Sequence, residues 1–330
     1  MRHWWNAAIV VQARKLKAGK RKSTLTRGLL ACLPNTTKHD MTIKSLLFVP
    51  GDSEKKMAKA ASTGADALLL DLEDSVSHER LPLARGLVLD YLKTHDRAHQ
   101  QVWVRINPLN TTRSLPDLVA VMPGQPDGIM LPKPLNADDV RQLDHFLSAL
   151  EQREGIALGR TRILPVATEL AGAMFQLNSY AGCSPRLAGL TWGAEDLATD
   201  VGATSNKKDD GDFDDAFVLA RSLCLLAATH AGVQAIDTLT VDFRNNEGLQ
   251  ADVRRARRQG FSGKLAIHPD QVGIINAGFT ASLEELHYAQ RIVDAFAQSS
   301  GAGALQLDGK MIDKPHLTQA LRLLATRKGH

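Results

Sequence analysis

Glu169 and Asp196 each follow a short apolar run, Arg105 ends another such run, and Glu73 with Asp74 follows a third. Two carboxylates brought into one small volume repel unless they share a proton or a cation. A pair of oxygen ligands suits Mg2+, which takes one or two protein carboxylates and leaves room for water and substrate. No cluster of histidines argues for zinc. An arginine beside such an ion suits an oxyacid: the ion chelates a carboxylate and a neighbouring oxygen, and the guanidinium steadies an oxyanion as it develops. That combination can break or make a carbon–carbon bond next to a carbonyl.

Each of these residues also has a plainer reading. Asp71-Leu72-Glu73-Asp74 could cap a helix, because carboxylates near a helix start satisfy free amides. Arg105 could be one half of a buried ion pair. His268-Pro269-Asp270 reads as the cap of the last barrel helix. Lys55, Lys56 and Lys59 lie on the first helix, with 55 and 59 one turn apart. They are either a solvated face or a clamp for the phosphates or carboxyl end of a long anionic substrate. The run Arg254-Arg255-Ala256-Arg257-Arg258 reads as a soluble helix surface.

Acids and bases this far apart in sequence can meet only if a repeating scaffold delivers them to one place. From Lys44 onward short apolar runs alternate with amphipathic stretches, the pattern of βαβ units around a buried parallel sheet. Eight runs are legible: Ser45–Val49, Ala67–Asp71, Val102–Ile106, Gly128–Leu131, Ile163–Ala167, Leu187–Trp192, Gln234–Asp237 and Lys264–Ile267. The stretches between them read as helices: Glu54–Ser62, Glu79–Thr94, Leu115–Val121, Ala137–Gln152, Gly172–Ser179, Phe213–His230, Gly248–Arg258 and, last, Asp270–Asn276. Eight β/α units predict a (β/α)8 TIM barrel, in which every residue just past a strand converges on one rim. Lys133, after the fourth run, joins the set. A doubly wound sheet is the alternative, but Pro50-Gly51-Asp52-Ser53 is no dinucleotide-binding glycine turn. A long helix, Ser282–Gln298, a Gly/Ser-rich hinge, 299–304, and a final helix, Pro315–Thr326, complete the chain. The segments are therefore an N-terminal extension (1–40), a catalytic barrel (41–298) and a hinged C-terminal lid (299–330), the lid carrying Asp313.

The net charge of +4 conceals an asymmetry: residues 1–40 hold nine Lys/Arg against one acid, so the remainder carries a net −4. Three readings compete for this tail: a disordered extension, a targeting peptide, and a nucleic-acid or membrane arm. Disorder is the first choice, with no nucleic-acid or membrane partner for the protein. Cys32, Cys183 and Cys224 are scattered singly, so neither a disulfide framework nor a zinc knuckle is supported, and a reducing compartment follows. A cytoplasmic location is expected, or a mitochondrial one if the tail is a targeting peptide. No apolar stretch of 18 residues or more suggests a membrane span.

The motifs Phe48-Val49-Pro50-Gly51, Asp71-Leu72-Glu73-Asp74-Ser75-Val76, Val104-Arg105-Ile106-Asn107, Leu131-Pro132-Lys133, Trp192-Gly193-Ala194-Glu195-Asp196-Leu197, Ala235-Ile236-Asp237 and Gly260–Pro269 follow one another in an order that resembles the citrate lyase β-subunit-like (HpcH/HpaI aldolase) superfamily. The resemblance spans about residues 44–327. It implies a TIM barrel that binds Mg2+ and cleaves a 3-hydroxyacyl-CoA thioester, of the citramalyl-, malyl- or citryl-CoA type, into an oxo acid and an acyl-CoA. Glu169 and Asp196 match its metal ligands, and Arg105 its substrate-site arginine. Phe48, Lys55, Lys59, Ile236 and Asp237 match positions lining the CoA-ester site. Asp313 matches the acid–base aspartate of a C-terminal lid that reaches a neighbouring subunit, which implies a homotrimer or hexamer, and Glu73 is expected to orient Arg105 or a metal-bound water. A malyl-CoA-type thioesterase, an aldolase acting on free 2-oxo acids, and a nucleic-acid-binding protein using its basic tail are the alternatives. Pro165-Val166-Ala167-Thr168-Glu169 places its acid one residue later than the family's usual Pro-x-Val-Glu-Thr-Ala. The assignment therefore requires Glu169 to lie beyond the end of its strand, free of strand alternation.

Overall fold

A computed structural model describes residues 42–299 and 301–326; the 1–40 extension lies outside them. Eight parallel strands, β1 (Ser45–Pro50), β2 (Ala67–Asp71), β3 (Gln101–Arg105), β4 (Gly128–Leu131), β5 (Arg162–Pro165), β6 (Gly189–Thr191), β7 (Gln234–Asp237) and β8 (Gly263–Ala266), form one sheet. Their order is β5-β4-β3-β2-β1-β8-β7-β6. The two ends meet at isolated parallel bridges, Ile163↔Leu187 and Val166↔Thr191. The β5–β6 seam thus completes a TIM barrel without a continuous ladder.

Why the strands form is plain in β2, Ala-Leu-Leu-Leu-Asp, where all five residues are buried. A strand covered on both faces has no use for polar alternation. Its neighbours divide two cores by strand parity. Leu46, Leu69, Trp103, Met130, Leu164, Ile236 and Leu265 fill the lumen. Leu47, Leu68, Val104, Ile129 and Leu190 point outward into the layer beneath the helices.

The helices that matter for the rim are α1 (Glu54–Ala60), α2 (Leu81–Thr94), α3 (Ser114–Val121), α4 (Ala137–Glu154), α5 (Ala194–Asp200), α6 (Asp215–Ala231), α7 (Asn246–Gln259) and α8 (Pro269–Phe279). His268 caps α8: its ring nitrogen accepts from the Asp270 amide, and the Gln271 side chain returns a bond to the His268 backbone. In place of a helix over Gly172–Ser179 there are two 3-10 turns, Ala171–Phe175 and Leu177–Tyr180. α5 is an additional one.

After the barrel come α9 (Leu283–Gln298), an antiparallel hairpin of β9 (Ala304–Leu307) and β10 (Lys310–Asp313), and α10 (Lys314–Thr326). Asp308 and Gly309 both have positive φ, 51° and 73°, the signature of a two-residue type I′ turn. Ile312 and Ala320 pack with Ala289 and Ile292 of α9 in a small core of their own.

Candidate active site at the C-terminal rim

Arg105 and Asp71 end adjacent, paired strands, β3 and β2, so their side chains project together from the lumen at the rim. Arg105 Nε and Nη2 donate to the two oxygens of Asp71 at 2.7 and 2.8 Å, a fork-to-fork pair that fixes the plane of the guanidinium. The Asp71 carboxylate also accepts from the Glu73 and Ser75 amides at 3.0 and 3.1 Å. Burial works to raise its pKa, but Arg105 prevails and holds it low. The third arginine nitrogen lies 3.0 Å from Glu73 Oε2 and 3.7 Å from Asp74. The Glu73 contact is an ion pair without hydrogen-bond alignment, since Oε2 is buried and unbonded. Phe48 lies beneath the guanidinium, 4.8 Å from ring centroid to Cζ, a cation–π contact. The ion-pair reading of Arg105 holds, whereas no helix starts at Asp71–Asp74: Asp71 accepts from amides of its own turn, and helical structure begins only at His78. The turn and the ion pair together build the platform that presents Arg105.

Lys133 links this platform to the metal-type acids. It follows β4 with φ +50°, a left-handed conformation uncommon for a residue with a side chain. The turn directs its backbone N–H to Glu169 Oε2 at 2.5 Å and its ammonium to Glu73 at 2.5 Å, Asp196 at 3.2 Å and Asp74 at 3.5 Å. Burial opposes the charge on Lys133, yet Glu73, Glu169 and Asp196 hold its pKa above the ordinary value. Strand position alone placed Lys133 at the rim; its bridging role depends on a backbone angle that no motif states.

Glu169 lies beyond the end of β5, as the displaced motif requires, and is 3% exposed. Gly193 makes space for it: a Cβ there would meet Glu169 Cγ at 2.7 Å. Burial, then the charges of Asp196 and Glu73, push its carboxyl well above the usual range. Asp196 sits in the first turn of α5 and stays one-third exposed. Glu73 is raised too, by burial, against the pull of Arg105 and Lys133.

This donor set fits a divalent cation. Glu169 is a buried carboxyl that takes a hydrogen bond from the Lys133 peptide N–H and feels the charge of the Lys133 ammonium, while two further carboxylates act against its ionisation. Glu169 and Asp196 are oxygen donors of the kind Mg2+ takes, one or two carboxylates from the protein.

The remaining expected site residues are placed differently. Ile236 faces the lumen. Asp237, next along β7, points outward: it accepts from Trp192 Nε1 at 2.7 Å and Arg221 Nε at 2.9 Å, and lies 3.4 Å from Lys264 Nζ. Its side chain is thus beneath the helices, away from the rim cluster. Lys55 and Lys59 are exposed on α1. Asp313 ends β10, where His316 Nδ1 contacts its Oδ1 at 2.6 Å and, by hydrogen bonding, lowers its pKa. His316, on the same terminal segment, is its side-chain partner.

A parallel barrel carrying paired carboxylates and a clamped arginine at the C-terminal ends of its strands defines a class of metal-assisted carbonyl enzymes. Residues 44–269 match the HpcH/HpaI aldolase/citrate lyase family, and residues 214–328 match the C-C bond lyases of the TIM-barrel fold. The chain belongs to the HpcH/HpaI aldolase/citrate lyase family and is an enzyme of its lyase class. It is 34% identical to a (3S)-malyl-CoA thioesterase of Cereibacter sphaeroides, over 86% of this chain and 93% of that protein. It is 32% identical to the mitochondrial citramalyl-CoA lyase of Mus musculus, over 85% of each. Protein CitE from Mycobacterium tuberculosis, crystallised with magnesium, acetoacetate and coenzyme A, superposes with a TM-score of 0.72 at 32% identity, covering 87% of this chain and 98% of that one.

Proposed function

We propose that the protein cleaves a 3-hydroxyacyl-CoA thioester of the citramalyl-, malyl- or citryl-CoA type into an oxo acid and an acyl-CoA, with Mg2+ at Glu169 and Asp196. The observation that carries this is Glu169: a fully enclosed carboxylate, pressed by Asp196 and Glu73, is stable as an anion only beside a cation. Bound there, Mg2+ would supply Lewis acidity, lowering the pKa of the substrate hydroxyl and holding the oxo acid as it leaves.

In the cleavage direction the hydroxyl loses its proton, the bond between C2 and C3 of the acyl chain breaks, and the electron pair passes to the thioester enolate, whose carbon then takes a proton. Arg105, fixed by Asp71, offers its donors to oxygen as negative charge develops. Glu73 orients Arg105. Lys133 keeps Glu73 and Asp196 together, and Asp313 exchanges the proton at the enolate carbon. Asp313 would act in a neighbouring copy, within a trimer or hexamer that exchanges lids; in its own chain its side-chain partner is His316 of α10. Lys55 and Lys59 serve the CoA moiety, with Phe48 and Ile236 on that side of the site; Asp237, whose side chain is turned outward beneath the helices, takes no part in it.

Purified protein should split malyl- or citramalyl-CoA with Mg2+ and stop in EDTA; full turnover without a divalent metal would remove the metal from the reading. Asp313→Asn should fold and bind metal yet lose most turnover, and an unimpaired variant removes Asp313 from the reaction. The thioesterase relative supports a second outcome at the same site, hydrolysis to free acid and CoA. Monitoring thiol and oxo acid together separates the two. A cytoplasmic location accompanies this reading, with a mitochondrial one favoured by the mouse relative. Fractionating cells that express the chain with and without residues 1–40 decides between them. No helix among the described residues is long and apolar enough to cross a membrane.

A further inference from the structure

A cavity of about 650 Å3 opens beside the rim cluster and shares Glu73, Asp74 and Lys133 with it. Its far wall is built by the loop between β3 and α3, where Arg113 enters the lining. Arg113 is held from behind: its Nε donates to Asn107 Oδ1 at 3.0 Å. Asn107 is 3% exposed and cannot turn, because its Nδ2 donates to the Leu72 carbonyl and to Asp117, both at 2.8 Å.

The other guanidinium nitrogens of Arg113 have no comparable engagement. Among the described residues no carboxylate lies within ion-pair distance of Arg113, whereas Arg105 and Lys133 are committed to Glu73, Asp74, Asp71 and Asp196. Arg113 is also the residue that opens α3, and its side chain makes no cap bond there. Its charge therefore adds to the positive end of that helix. Glu79, the remaining acid of the lining, is exposed on the opposite loop. A pre-oriented guanidinium with free donors, set in a concave wall, is built to take a planar oxyanion.

We propose that this cavity is an anion subsite of the active site. Arg113 there takes a carboxylate of the substrate's acid half other than the one engaged at Glu169 and Asp196, so that the enzyme favours acids carrying an additional carboxylate. The inference rests on the proposed metal site, and the two can fail separately.

The test is calorimetric titration of the full chain, with Mg2+ present and then with EDTA, using citrate, citramalate and adenosine 3′,5′-bisphosphate as probes. Citrate should bind about tenfold more tightly than citramalate, a difference of about 1.4 kcal/mol. Arg113→Gln should bring the ratio of the two affinities close to one, and Arg113→Lys should restore part of it. If the acids bind with Mg2+ but show no preference for citrate, or if Arg113→Gln leaves the preference intact, the subsite is overturned while the metal site stands. A chain that binds neither acid in the presence of Mg2+ overturns both. Loss of bisphosphate binding alone in Arg113→Gln would show that the anion is a phosphate of the CoA moiety, and would overturn the carboxylate assignment. Should Arg113→Gln fail to fold, Arg113→Lys supplies the comparison: an unchanged citrate preference with the shorter-reaching, non-forked cation overturns the subsite, and a reduced one supports it.

Discussion

Two charge clusters lie on opposite faces of the same sheet, and they are balanced in opposite senses. On the rim, five carboxylates, Asp71, Glu73, Asp74, Glu169 and Asp196, gather around two cations, Arg105 and Lys133. Beneath the helices, the single carboxylate of Asp237 stands between two cations, Arg221 and Lys264. Their spare donors are used too: Lys264 donates to the Thr238 carbonyl at 2.6 Å and Arg221 to the Gln259 side chain. The outcomes differ accordingly. Asp237 is brought down to about 2, Lys264 and Arg221 overcoming the effect of its burial. Glu169 is driven up. A cluster that satisfies itself is architecture; one left with surplus negative charge is prepared for a cation from outside.

Breaking the satisfied cluster should have the largest effect. Asp237→Asn leaves two cations buried without their anion, and should lower unfolding stability by about 3–5 kcal/mol, read by chemical denaturation, while the folded fraction keeps its metal affinity. Equal stability, or a primary loss of metal binding, would erase the distinction between the clusters. At the rim, Arg105→Lys keeps the charge and loses the fork, so turnover should fall by about 10²–10³-fold, or 2.7–4 kcal/mol. Its stability change should remain smaller than that of Asp237→Asn. Lys133→Met retains the backbone bond to Glu169 and removes the ammonium that holds Glu73 and Asp196. Turnover should then fall about 10- to 100-fold, the range seen when support for a metal site is removed.

The pH dependence sharpens the same contrast. Asp237 has a folded pKa below its unfolded one, so its stabilisation is complete above about 3.9 and disappears as the pH falls towards about 2. The stability gap between the native chain and Asp237→Asn should narrow through that window, measured by denaturation from pH 5 downward. A gap that stays constant to pH 2 would mean that the carboxylate acts by shape alone.

How far these clusters were legible depended on which physical rule places each residue. Eight apolar runs announce eight strands, and the rule that strand ends converge on one rim brings Glu73, Arg105, Lys133, Glu169 and Asp196 together. Asp237 ends a strand by the same rule, yet its side chain turns outward because Ile236 takes the lumen position. Parity, invisible without the register of β7, separates the two. The link made by Lys133 was hidden for a related reason, since a positive φ is seldom announced by a lysine. Gly172–Ser179 contains Gly, Asn and Ser, poor helix formers, and settles into 3-10 turns. α5 is short and acidic, with too few turns to show a period. The hairpin of β9 and β10 did carry a signal, since Asp308-Gly309 is a strong hairpin dipeptide, but the four-residue strands on either side give alternation little length in which to register.

The incomplete ladder between β5 and β6 gives the metal site a mechanical meaning. Glu169 follows one of these strands and Asp196 the other, so a cation held by both would act as a rivet across the one seam that the backbone leaves with isolated bridges alone. Filling the site should then tighten the circumference of the barrel as well as prepare it for chemistry. Amides that cross the seam, Ile163, Ala167 and Ala188 among them, should exchange more slowly with Mg2+ than without it, while those between β1 and β2 stay as they were.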